Sequence, residues 1–146
     1  MNNEIKKTKK LNNKGFSLVE LIVVIAIMAV LVGVLAPQFI KYVEKSRIST
    51  DIQNMAQIKT AVETYCAEND GITGDLFTSD VSTNTNQTAT ASTTLSNALT
   101  DAGLSTTVTF KSKNWTGVNL SVSGGAVTVK GTATYKSKTY NMNGAN

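Results

Sequence analysis

Glu20 is a carboxylate in unfavourable surroundings. It lies in the run 16–36, FSLVELIVVIAIMAVLVGVLA, 21 residues that are otherwise nearly all apolar. An acid at the centre of a membrane helix costs about 2.5 to 3.5 kcal/mol, so an unpaired one is unexpected there. Glu20 therefore needs a cationic partner, or, being near the start of the run, it snorkels to the interface. Just ahead of it, Lys14-Gly15-Phe16 marks an abrupt change from a polar, lysine-rich segment to the apolar one. Gly15 is at minimum a loop residue before a helix. The chemistry these residues offer is charge pairing in an apolar medium.

Other reactive constellations are missing. The chain has no histidine, no paired carboxylates at a plausible site and no phosphate-cradling glycine pattern, so acid–base and nucleophilic catalysis lack their usual participants. Asp75, Asp80 and Asp101 are scattered without the spacing of a calcium loop, and no metal or cofactor is expected. The single cysteine, Cys66, cannot close an internal disulfide, and on a helix its expected role is a small hydrophobe. Asn86, Asn114 and Asn119 match the short glycan-acceptor triplet, which is too common to carry weight. Trp115 and the tyrosines read as packing residues.

Charge is unevenly distributed. Residues 1–15 carry five lysines against Glu4, which equals the whole chain's formal +4. The remainder holds nine basic and nine acidic side chains, so a nucleic-acid partner is not expected.

The elements that must position Glu20 follow from pattern and length. As a helix, residues 16–36 span roughly 32 Å, enough to cross a hydrocarbon core about 30 Å thick. The lysines before the run outnumber Lys41, Lys45 and Arg47 after it, which places the N-terminus in the cytoplasm and the bulk outside. A secretory signal is the competing reading, but the run exceeds the 7 to 15 apolar residues of such a signal, and Pro37 would follow the cut. Beyond Pro37 an amphipathic stripe runs through Ile48, Ile52, Met55, Ile58, Val62 and Tyr65. One long helix is expected, kinked at Pro37 with Gly33 softening the same region, and ending near Gly71. Working back from Ile48, Glu44 and Lys45 occupy the stripe, so the helix should protrude bare through residue 47.

Residues 72–107 are rich in Thr, Ser and Asn and read as a surface connection, with a short helix at 95–102 capped by Thr93 or Thr94 and ended by Gly103. From Thr107 the period becomes two, through 108–110, 118–122, 127–129, 132–135 and 139–141. This predicts an antiparallel sheet with one apolar face, turning at 123–125 and 137–138. The helix stripe and the sheet each need a partner, giving an α+β domain of one helical spine on three to four strands. The organisation expected is a leader (1–15), a membrane-spanning then protruding helix half (16–47) and a head (48–146).

Lys14-Gly15-Phe16-Ser17-Leu18-Val19-Glu20 and the run after it resemble the type IV pilin and pseudopilin family over residues 14–40. The resemblance implies cleavage between Gly15 and Phe16 by a membrane-embedded prepilin peptidase, N-methylation of Phe16, and a family proline at Pro37. It further implies a homo-oligomeric helical fibre, the pilin fold, an inner-membrane assembly platform and an assembly ATPase. The subunit would be a single-pass protein in membrane lipid before assembly and part of a surface pilus serving adhesion or twitching motility afterwards. A cationic amine freed at Phe16 could pair with Glu20 of a neighbour inside an apolar fibre core, while Leu18, Val19 and Leu21 exchange lipid for helix contacts. Many Gram-negative members close a C-terminal loop with two cysteines; this chain departs from that, which points to a Gram-positive source, and its Lys/Asn-rich usage to a clostridial-like one. A major pilin is the leading reading; a pseudopilin of a secretion or DNA-uptake system, or a membrane-anchored binding module that never polymerises, are the alternatives.

Overall fold

The computed structural model describes residues 15–79, 88–89 and 91–143. The leader lysines, Asp80 and Asn86 lie outside them. The chain forms two compact units that divide between Ile40 and Lys41. The long helix α1 (Leu18–Glu68) supplies residues to both and continues through Gly33 and Pro37.

In the first unit the α1 side chains are exposed from Leu18 through Ile40. Hydrophobic residues with no protein to cover them need another apolar medium. By length and composition the helix is able to cross a membrane.

In the second unit α1 becomes amphipathic. Ile48, Met55, Ile58 and Val62 are buried, and Ile52 and Tyr65 pack half-buried against the same core. The helix stops at Glu68, and Gly71 adopts a left-handed φ of 82°. There follow β1 (Gly74–Ser79), β2 (Thr88–Ala89), α2 (Thr93–Asp101), β3 (Val108–Thr109), β4 (Trp115–Ser123), β5 (Ala126–Tyr135) and β6 (Lys138–Asn141). Four strands form an antiparallel sheet in the order β1-β4-β5-β6, and β2 pairs with β3. Val118, Leu120, Val122, Val127 and Val129 alternate inward and share one core with the α1 stripe and with Leu95 and Leu99 of α2. This is the expected α+β arrangement of a long apolar helix and a small antiparallel sheet.

Several local expectations change. Residues 72–107 are not only a connection: β1 pairs with β4 and buries both Leu76 and Phe77. The register shifts between Asp75 and Phe77, and this bulge turns adjacent residues inward, which hides the strand from a period-two reading. The cap of α2 is Ser92, whose hydroxyl accepts from the Leu95 N–H, because the helix begins earlier than 95. The segments 127–129 and 132–135 are one strand, β5. The β4–β5 turn falls at Gly124-Gly125, with φ of 56° and 79° that suit glycine. The β5–β6 turn is centred on Lys136 and Ser137, one residue earlier than expected.

Candidate functional site

The N-terminal site is built from backbone outward. The first N–H groups of any helix lack intrahelical acceptors. Here Glu20 folds back so that Oε2 accepts the Ser17 N–H at 2.8 Å, while Ser17 Oγ accepts the Val19 N–H at 3.3 Å. The pair forms a variant of the capping box, with Glu20 reaching back to the Ser17 N–H from three residues on and the Ser17 hydroxyl on the second helical amide instead of the third. The helix starts its own hydrogen bonding with the Leu21 N–H on the Ser17 carbonyl at 3.2 Å. The carboxylate also meets the positive end of the helix dipole. The cap was legible as Ser-x-x-Glu; it was overshadowed by the oddity of an acid in an apolar run.

Phe16, just before the cap, is 93% exposed, and a side chain added at Gly15 would meet nothing within 4 Å. The Gly15-Phe16 bond is therefore open to solvent or to another protein, and packing does not require glycine at 15. Gly33 likewise has open space around it, and Pro37, four residues later, has no N–H to give the Gly33 carbonyl. Structure thus places Gly15, Phe16 and Glu20 together at the helix start, and Gly33 and Pro37 one turn apart further along α1.

A second polar cluster, in the other unit, went unread in the sequence. Asp51 is 1% exposed, in the middle of the apolar stripe. Its Oδ1 accepts the Lys111 N–H at 2.8 Å, and its Oδ2 accepts the Ser112 N–H at 2.9 Å and Trp115 Nε1–H at 3.0 Å. Two turns earlier, Glu44 accepts from Ser112 Oγ and Asn114 Nδ2 and pairs with Arg47 at 3.5 Å. Two helix carboxylates thus hold the segment from Lys111 to Trp115 onto α1. Burial pushes the Asp51 carboxyl above its ordinary value, while the three N–H donors and the Lys111 charge pull against it. Their partners lie some sixty residues away, so spacing along the chain could not announce them. Cys66 is half-buried against the core, and burial pushes its thiol up, away from the reactive thiolate.

No group of three or more metal-ligating His, Cys, Asp or Glu side chains occurs among the described residues. A groove of about 570 Å³ lies between the end of α1 and α2, lined by Ala61, Tyr65, Glu68, Ala98, Asp101 and Leu104.

Residues 10–36 match the family described as the prokaryotic N-terminal methylation motif. The chain is 39% identical over 51 residues to the type IV major fimbrial protein FimA of Dichelobacter nodosus, covering 35% of this chain and 33% of that one. It is 44% identical over 66 residues to prepilin peptidase-dependent protein A of Clostridium perfringens, covering 45% of each. It is 36% identical over 58 residues to the type IV major pilin protein PilA of Myxococcus xanthus, covering 40% of this chain and 26% of that one. The match to the first of these spans about a third of the relative's length. No solved structure matches. The chain carries the N-terminal methylation motif over residues 10–36, where the capped helix start and much of the exposed apolar helix lie, and over 35 to 40% of its length it is similar to type IV major pilins.

Proposed function

We propose that this chain is the structural subunit of a type IV pilus, with no reaction of its own to catalyse. It waits in the cytoplasmic membrane with residues 16–36 spanning the bilayer and residues 1–15 in the cytoplasm. Prepilin peptidase cuts between Gly15 and Phe16 and the new amine is methylated. The subunit then joins a surface fibre through its N-terminal helix, with the assembly platform and its ATPase driving the transfer.

The observation that carries this reading is the carboxylate of Glu20, held beside the Ser17 N–H one residue from the proposed cut. While Phe16 remains in a peptide bond, the backbone cap satisfies Glu20. Once Phe16 carries a free ammonium, a stronger, charge-assisted partner exists. In an apolar fibre core, the Glu20 of one copy and the Phe16 amine of the next each offset the other's desolvation. Exposed apolar side chains from Leu18 through Ile40 support the same reading, because they pack equally well against lipid or against sister helices.

Mass spectrometry of the mature N-terminus, after expression with the peptidase, tests the proposal. A chain beginning with methylated Phe16, recovered in sheared fibres, is the expected result. A full-length chain remaining as monomer in the membrane fraction would overturn it in favour of an anchored module.

A further inference from the structure

The head is electrically polarised along α1. No Lys or Arg occurs between residues 60 and 110, and no Asp or Glu between 102 and 146. Strand pairing converts this separation in sequence into a separation in space. Trp115 pairs with Ala133 and Tyr135 with Lys138, so the segment before β4 and the β5–β6 turn lie at the same end of the sheet. That end therefore carries Lys111, Lys113, Lys136 and Lys138, all exposed. Asp51 and Glu44 fasten the 111–114 segment to the part of α1 where the chain enters the unit, beside Lys41 and Lys45. Lys111 also shares a cleft of about 400 Å³ with Tyr42 and Arg47. Among the described residues, the acids at this end are already occupied: Asp51 is buried and Glu44 is paired with Arg47. At the other end lie Glu68 and Asp101, which border one groove, and Asp75, which pairs with Ser121 near the β4–β5 turn.

We propose that the basic end is a docking surface for anionic phospholipid head groups, engaged while the subunit is stored in the membrane. This rests on the reading that residues 16–36 span the bilayer. Lys41 follows Ala36 by only five residues, and Glu44, which anchors the lysine-bearing segment, follows by eight, so the chain passes from the apolar run into the basic end of the head with a short tether. The head-group zone on each side of the hydrocarbon is about 5 to 7 Å deep, and an anionic surface attracts cations over a further ~8 Å at physiological salt. The tether therefore delivers these lysines into the field of the lipid phosphates. Tyr42, 68% exposed with Lys45 Nζ 5.9 Å from its ring centre, is the amphipathic aromatic that such an interface favours. The lysines hold the head against the leaflet, and extraction into a fibre must break that contact.

The test uses the full chain, one copy per lipid nanodisc, with nitroxide carried on a fraction of the head groups. In discs containing phosphatidylglycerol, the Lys113 and Lys138 amides should relax about tenfold faster than the Gly125 amide, and salt near ~0.5 M should remove most of the difference. The double variant K113E/K138E should lose it too, with Trp115 fluorescence reporting that the head stays folded. Equal enhancement in phosphatidylcholine discs, or none in either lipid, overturns the proposal, as does enhancement that needs two copies per disc and so reflects binding to a second chain. Amide-exchange protection of residues 20–35 is read on the same samples. Its absence sinks the membrane reading, whereas a protected span with Lys113 and Lys138 unaffected sinks only the docking surface.

Discussion

Glu20 and Ser17 cap each other across the first turn of α1: the glutamate accepts the serine N–H at 2.8 Å, and the serine hydroxyl accepts the next free amide but one at 3.3 Å. The acid therefore has a structural role of its own, separable by substitution from the proposed pairing with the Phe16 amine. Glu20→Gln keeps an acceptor for the Ser17 N–H and removes the charge; Glu20→Ala removes both. Fibre yield should drop at least tenfold in either variant, with peptidase processing retained. Amide exchange at Ser17 in the uncut chain should accelerate in Glu20→Ala alone, reflecting about 1 kcal/mol of lost capping. Normal fibre yield from Glu20→Gln would rule out the charge pair.

Asp51 makes the head's stability depend on pH with a definite sign. Its pKa is raised in the folded chain above the ordinary 3.8, so the folded state binds its proton more tightly than the unfolded state. The contribution is present below about pH 3.8 and is lost as pH rises through the folded-state value. The difference in urea midpoint between wild type and Asp51→Asn, followed by Trp115 fluorescence in detergent, should therefore vary across this acid window and become flat above it. Asp51→Ala leaves three N–H donors without their acceptor and should cost roughly 3 kcal/mol. A pH-independent difference would contradict the assignment.

The β5–β6 turn is held by two residues that ordinarily avoid it. Lys136 and Ser137 have φ of 48° and 66°, a left-handed pair without glycine or asparagine. Ser137→Gly should relieve the Cβ clash and raise stability by about 1 kcal/mol, read as a higher urea midpoint. An unchanged or lower midpoint would mean that other contacts of the Ser137 side chain outweigh its backbone strain.

The gross architecture was readable because it rests on periodicities within single segments. A 21-residue apolar run, a stripe at helical spacing and alternating valines each announce an element without reference to anything distant. The misreadings share a different cause. Leu76 and Phe77 are both buried because a bulge in the β1–β4 pairing turns them inward, and the bulge exists only in the presence of the partner strand. Asp51 lies close to Lys41, Lys45 and Arg47 in the chain and carries no local mark of burial; its burial depends on Lys111, Ser112 and Trp115 closing over it.

At the N-terminal end the relevant physics is local, so the amino-acid sequence by itself determined the chain's most distinctive features: one apolar helix long enough for a bilayer, an acid near its start, and a lysine-rich segment ahead of it. Tertiary structure alone decided which carboxylates face water, which strand is bulged, and that lysines far apart in the chain share one end of the head. The reason is physical: burial and field are properties of what surrounds a side chain, and for Asp51, Lys111 and Lys138 those surroundings come from other segments.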